Sequence, residues 1–177
     1  MAKEGFRLAS GGIKKVGKLL IKYTSEWQIA HESLSPPIEW YNVPKGTKSL
    51  ALTVQDIDED RPRLPLVHWL VINIPPTLNG LPQGFSGKKE EELVGDYAGV
   101  KEEINWRGPE LAANGHRFKF KIYALDGNIH LGNQVTNEKL LEEIQGHVLG
   151  EAALTGITEL SPQDKDNAPP FTVFAPI

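Results

Sequence analysis

Alternating hydrophobic and polar residues predict several β-strands in this chain. Residues 49–55 place three large apolar side chains on one face, and residues 118–125 alternate in the same way between two turn signals. Residues 66–74 are apolar on both faces, which predicts a central strand that is covered on both sides. Shorter strands are predicted at residues 19–24, 152–158 and 171–174.

One segment has the periodicity of an α-helix. Residues 137–149 carry an apolar stripe, Thr136 can cap the N-terminus, and Gly150 follows the segment as a terminator. The stripe consists of Leu140, Leu141, Ile144 and Val148. A second, short helix is predicted near residues 90–94. Strands outnumber helices, so the sequence predicts a mainly β protein.

The length and composition indicate one globular domain over residues 1–177. The chain has 17 Gly and 13 Pro, which favours many turns and short elements over a helical bundle. A net charge of −4 argues against a nucleic-acid binder. The absence of cysteine excludes disulfides and thiolate metal sites.

The sequence also predicts a cytoplasmic protein with no membrane span. Charged residues occupy positions 3, 4 and 7, where a signal peptide would need apolar ones, and no glycosylation sequon occurs. No apolar stretch approaches the ~20 residues that a spanning helix needs.

Familiar catalytic motifs are missing. Gly12, Gly17 and Lys18 have the spacing of a phosphate-binding loop, but Leu19 stands where a magnesium-binding Ser or Thr is needed, so a glycine turn is the better interpretation. The Gly-x-Ser-x-Gly and His-Glu-x-x-His motifs do not occur.

A group of polar residues stands out near the predicted strand ends. His68 lies inside an apolar strand, where an imidazole needs a polar partner. Asp56 and Asp58 end the preceding strand, and His116 precedes Arg117 at the start of another. Two histidines and a carboxylate could bind an anion or ligate a metal, and their spacing leaves both alternatives open.

Several short motifs follow one another in order along about residues 6–158. They are Ser-Pro-Pro-Ile-Glu-Trp at 35–40, Pro-x-Gly-Thr-Lys-Ser-Leu-Ala-Leu at 44–52, Asp-x-Asp at 56–58, Val-His-Trp at 67–69, Asn-Ile-Pro at 73–75, Gly-Pro at 108–109, Gly-His-Arg at 115–117 and Tyr-Ala-Leu-Asp at 123–126. Together these motifs make the chain similar to the phosphatidylethanolamine-binding protein family. It most resembles the branch shared by bacterial and archaeal Raf-kinase-inhibitor-like proteins and cytosolic plant homologues.

The resemblance implies a PEBP-like fold, with a central antiparallel β-sheet, a second smaller sheet and few peripheral helices. It also implies a pocket for a small anion, such as phosphate or a phospholipid headgroup. The residues that it assigns to this pocket are Asp56, His68, Gly108, Pro109, His116 and Phe118. In this interpretation imidazoles and backbone N–H groups donate to anion oxygens, and the carboxylate orients a histidine or receives a headgroup ammonium.

Four departures from the family pattern bear on this pocket. The usual Asp-Pro-Asp-x-Pro stretch is Asp-Ile-Asp-Glu-Asp at 56–60, which removes the prolines of the first loop. Glu110 replaces a proline after Gly108 and Pro109, and Phe118 lacks the hydroxyl common at its position. Residues 101–107 resemble an insertion before Gly108.

The resemblance supports a non-enzymatic binding protein with no cofactor and no metal. For some family members it also implies a protein partner, such as a kinase or a protease. An enzyme is the main alternative, with His68 or His116 as general acid/base on a small carbonyl or phosphorylated substrate and Asp56 as the orienting group. A flowering-type signalling protein is a third interpretation, and the acidic composition argues against it. A homodimer is expected only by resemblance to prokaryotic members.

Overall fold

The computed structural model describes residues 5–13, 23, 34–57, 67–108 and 117–157. Within these ranges the chain is mainly β, as the sequence predicts. The strands are β1 (Arg7–Ala9), β2 (Ile38–Tyr41), β3 (Ser49–Asp56), β4 (Val67–Ile74), β5 (Gly80–Leu81), β6 (Lys101–Ile104), β7 (Arg117–Leu125) and β8 (Val148–Ile157), and the helix α1 spans Asn137–Ile144.

The strands form two antiparallel sheets. The smaller sheet has the order β1-β2-β5, and the larger one has the order β6-β4-β3-β7-β8. The strands predicted at residues 49–55, 66–74 and 118–125 are confirmed as β3, β4 and β7. The second, smaller sheet that the resemblance implies is also present.

The five-stranded sheet is covered on both faces. One face packs against the three-stranded sheet through a large apolar cluster that includes Leu52, Val54 and Trp40. The other face packs against α1 through a smaller cluster that includes Leu70 and Leu140. Strand β4 contributes residues to both clusters, which confirms the prediction of a strand buried on both sides.

The helix predicted over residues 137–149 is shorter than expected. The side chain of Thr136 accepts a hydrogen bond from the Lys139 N–H at 3.1 Å, so the predicted cap is correct. The helix ends at Ile144, however, and Gly146 adopts a φ of +82°, which turns the chain before the predicted end.

The residues after this turn belong to a strand. Val148 lies opposite Leu125 in the β7–β8 ladder, so backbone pairing with β7 replaces the last predicted helical turn. Two residues of the predicted apolar stripe, Leu141 and Val148, are 45% and 39% exposed, so the prediction is wrong at these positions. The short helix predicted near residues 90–94 is a single 3-10 turn over Glu90–Glu92.

Some predictions concern parts of the chain outside the described residues. These are the strand at 171–174, the strand at 19–24 apart from Tyr23, and Gly17 and Lys18 of the glycine motif. Gly12 lies in a turn. No helix of the described ranges is long and apolar enough to cross a membrane.

Candidate functional site

Asp56 is a buried carboxylate at the end of β3. Strand alternation places it on the same face as Leu52 and Val54, toward the cluster between the two sheets. Its partner in the β3–β7 ladder is Phe118, and the two residues are 5% and 1% exposed. A buried carboxylate needs polar or charged neighbours, which makes this strand end a candidate site.

A β-bulge in β4 places His68 beside this strand end. Val54 pairs with Trp69, but the next residue of β3, Gln55, pairs with Val67, so His68 is the extra residue on β4. A bulge re-aims the side chain that it carries. The His68 ring contacts Phe118, which belongs to the cluster between the two sheets. The bulge thus brings His68 to the face that carries Asp56.

The backbone of Arg107 holds His68 through two hydrogen bonds. The Arg107 N–H donates to the His68 carbonyl at 2.7 Å, and His68 Nδ1 lies 2.7 Å from the Arg107 carbonyl oxygen. A carbonyl oxygen only accepts, so Nδ1 carries the proton and donates. In the neutral ring Nε2 is then the basic nitrogen, which can accept a proton, and only after it is protonated can it donate to an anion.

Phe118 forms an apolar side of the site. Its ring meets the His68 ring edge to face, with centroids 5.1 Å apart. Because Phe118 is also the ladder partner of Asp56, it lies next to both polar residues. Gly108 is buried and directly follows Arg107.

Four of the six predicted site residues are thus in the described part of the chain: Asp56, His68, Gly108 and Phe118. The structure brings Asp56, His68 and Phe118 to neighbouring strand ends, and Gly108 follows the residue bonded to His68. Pro109 and His116 lie outside the described residues, as do Asp58 and Glu110.

Sequence reasoning did not assign a role to the segment before Gly108. Its first four residues form β6, which pairs with β4, and Arg107 supplies both bonds to His68. Backbone groups carry this contact, so no side-chain pattern could reveal it. The one available signal is the aromatic Trp106 next to Arg107, which is 3% exposed.

A separate surface cavity of about 550 Å³ is lined by none of the four predicted site residues that the structure describes. Its wall includes Lys88 and Lys101, but also Glu90 and Glu102. Both oxygens of Glu102 accept hydrogen bonds, from Trp69 Nε1 at 2.6 Å and from the Gly87 N–H at 2.8 Å. The mixed charges of the cavity wall do not favour the binding of an anion. The described residues contain no group of three or more His, Asp or Glu suited to a metal.

The two stacked antiparallel sheets, with a buried aspartate and a buried histidine at adjacent strand ends, are those of a PEBP-like fold. The chain belongs to the phosphatidylethanolamine-binding protein family, whose model matches residues 10–159. The resemblance seen in the sequence is thereby confirmed.

Curated relatives and solved structures agree with this family. A UPF0098 protein from Methanothermobacter thermautotrophicus is 36% identical over 143 residues, which cover 80% of this chain and 90% of the relative. A putative phosphatidylethanolamine-binding protein homologue from Chlamydia trachomatis, CT736, has a TM-score of 0.72 at 27% identity and covers 90% of this chain and 100% of its own. Escherichia coli YbcL, described as a member of the mammalian PEBP family, has a TM-score of 0.73 at 25% identity and covers 89% of this chain and 100% of its own.

Proposed function

We propose that this protein is a non-enzymatic binding protein for a small anionic or phosphorylated ligand, such as phosphate or a phospholipid headgroup. The proposed pocket consists of Asp56, His68, Gly108, Pro109, His116 and Phe118. The observation that carries the proposal is that the buried Asp56 and the His68 ring both adjoin Phe118, while a backbone carbonyl holds the Nδ1 proton of His68. Family membership extends the proposal to a protein partner, such as a kinase or a protease.

The chemistry of these groups suits an oxyanion. A protonated His68 donates from Nε2, and such charge-assisted bonds are stronger than neutral ones, the more so in a site with little water. Asp56 gives the site a negative group that can stabilise the imidazolium or receive the ammonium of an ethanolamine headgroup. Phe118 excludes water from one side.

Calorimetric titration with inorganic phosphate tests this proposal, and glycerophosphoethanolamine in a parallel titration distinguishes a headgroup from free phosphate. The His68→Ala variant should bind about 10- to 100-fold more weakly, the equivalent of one hydrogen bond to a charged group. The matched control is His147→Gln, because His147 is 55% exposed and pairs with Asp126. Equal affinity in His68→Ala would refute the proposed site.

One observation also favours the enzyme as a second candidate. The bond to Arg107 leaves Nε2 as the basic nitrogen, and a general base needs such a fixed tautomer. His68→Gln separates the two functions, because glutamine keeps hydrogen-bonding capacity but cannot transfer a proton at neutral pH. A binding protein tolerates this change and shows no turnover, whereas an enzyme loses its rate.

A further inference from the structure

We propose that Ser86 is a positioning residue of this site. Its hydroxyl holds the backbone of Trp106, and through Trp106 it sets the position of the Arg107 carbonyl that fixes the His68 tautomer. The consequence for ligand binding rests on the proposed function, whereas the effect on the His68 ring does not.

Two hydrogen bonds hold Ser86 in place. Its hydroxyl oxygen accepts the Trp106 N–H at 2.8 Å, and its own N–H donates to the Ser35 hydroxyl oxygen at 3.0 Å. Ser35 is fully buried, and its carbonyl accepts the Gly84 N–H at 2.9 Å. The hydroxyl of Ser86 is therefore a fixed acceptor for the Trp106 N–H.

The Trp106 side chain is held by contacts of its own. Its ring lies edge to face with Trp69, with centroids 5.7 Å apart, and tilted against Phe120 at 6.1 Å. Its Nε1 donates to the Tyr23 carbonyl at 3.1 Å. These contacts fix the indole. The Ser86 hydroxyl holds the backbone N–H of Trp106, just before the chain continues to Arg107.

Arg107 transmits this position to His68. It directly follows Trp106, and it exchanges two backbone-mediated hydrogen bonds of 2.7 Å with His68. Removal of the Ser86 hydroxyl leaves the N–H of the buried Trp106 without its acceptor, so the local backbone must move to find another. Such a shift lengthens the bond from His68 Nδ1, and the ring then populates its other tautomer.

Nitrogen-15 NMR of the histidine rings, recorded at about pH 8 where imidazole is mostly neutral, reads the tautomer directly. The ligand-free wild-type protein should show His68 with its proton on Nδ1, and Ser86→Ala should show a mixture of tautomers. Ser86→Thr keeps a hydroxyl and should restore the wild-type signal. The signal that disappears in His68→Gln assigns the ring.

Ser49→Ala is the matched control. Ser49 is 1% exposed, and its hydroxyl donates to the Gly127 carbonyl at 2.6 Å, so the variant loses a comparable buried bond. Ser49 begins β3, whereas Asp56 ends it, so the control lies at the far end of the strand. It should leave the His68 tautomer and the affinity for inorganic phosphate unchanged, while Ser86→Ala should weaken phosphate binding by about 5-fold, less than direct loss of His68.

An unchanged His68 tautomer in folded Ser86→Ala would overturn the positioning role, whatever the affinity for phosphate. Should the wild-type protein bind no phosphate, the proposed function would fail, while the NMR signals would still decide the role of Ser86. Should Ser86→Ala fail to fold, Ser86→Cys replaces it, because a thiol of similar size is a weaker acceptor and should shift the tautomer in the same direction. A wild-type signal in Ser86→Cys would then overturn the proposal.

Discussion

The rings of His68 and Phe118 meet edge to face, with centroids 5.1 Å apart and planes inclined by 84°. Phe118 also pairs with Asp56 across the β3–β7 ladder, so one apolar residue adjoins both polar residues of the proposed site. The family resemblance implies a hydroxylated aromatic at this position. The site therefore has one hydrogen-bond donor fewer than the family pattern provides.

Phe118→Tyr should strengthen the binding of inorganic phosphate by about 2- to 10-fold, because one added donor contributes about 0.5–1.5 kcal/mol. Titration calorimetry measures the change. The control is Phe120→Tyr, which adds a hydroxyl to a fully buried residue on the same face of β7 and should lower stability without changing affinity. Equal phosphate affinity in Phe118→Tyr and the wild type would show that the hydroxyl does not reach the ligand.

The binding of an oxyanion should weaken as the pH rises. A bound anion stabilises the protonated imidazole of His68, so it raises the pKa of this histidine in the complex above that in the free protein. Affinity is then highest at low pH and falls as the pH rises through the pKa of the complex. Sulfate is the suitable probe, because phosphoryl groups take up a proton of their own near pH 6.

Titrations with sulfate at about pH 6 and about pH 8 measure this dependence. His147→Gln should keep this pH dependence, because His147 pairs with Asp126 and is not part of the proposed site. His68→Gln should reduce it. Equal or tighter sulfate binding at the higher pH would contradict a histidine-based anion site.

Asn73 should contribute to stability through its backbone conformation and its amide. It adopts a φ of +55° at the end of β4. Its side chain accepts the Ile129 N–H at 2.8 Å and donates to the Ile129 carbonyl at 3.0 Å. Asn73→Ala loses both bonds and places a less tolerant residue at a positive φ, so the free energy of unfolding should fall by about 2–4 kcal/mol.

Asn73→Gly separates these two effects. Glycine removes the strain at positive φ but not the loss of the two hydrogen bonds, so its cost should be smaller than that of Asn73→Ala. Urea unfolding of both variants gives the comparison. Equal losses in the two variants would show that the backbone conformation contributes nothing.

Tyr123 and Lys121 should make the protein sensitive to alkaline pH. Burial is the main cause that raises the pKa of Tyr123, with Glu151 adding to it and Lys121 opposing it. Partial burial acts to lower the pKa of Lys121, but Tyr123 and Glu151 outweigh it and raise the pKa overall. Lys121 Nζ lies 3.4 Å from the Glu151 carboxylate.

The raised pKa values of Tyr123 and Lys121 affect stability in the same pH window. The folded state favours a neutral phenol and a protonated amine, so their contribution is complete below about pH 10, the unfolded values, and is lost as the pH rises through the folded ones. Urea midpoints should therefore hold steady from neutral pH and fall above about pH 10. The decline should be smaller in Tyr123→Phe, and an identical decline would exclude Tyr123 as a cause.

The pattern of apolar residues was sufficient to predict the three middle strands of the five-stranded sheet. Alternation identified β3 and β7, and a continuous apolar run identified β4 as buried on both faces, because side-chain period and burial are written directly in these positions. The apolar pattern was not sufficient to predict where the helix ends. Val148 continues the helical stripe, and only the β7–β8 ladder, a contact between segments distant in sequence, places it in a strand.

The polar residues at the strand ends could be identified from the sequence, but their arrangement could not. By strict alternation, His68 would point away from Trp69, toward the face covered by α1. The bulge against Val54 and Gln55 directs it to Phe118 instead. Such a bulge depends on the register of two strands, and the His68 tautomer depends on the backbone of Arg107, thirty-nine residues away. The sequence determined the three middle strands of the sheet and the polar candidate residues by local pattern, whereas pairing between distant backbone segments decided which of these residues share a face.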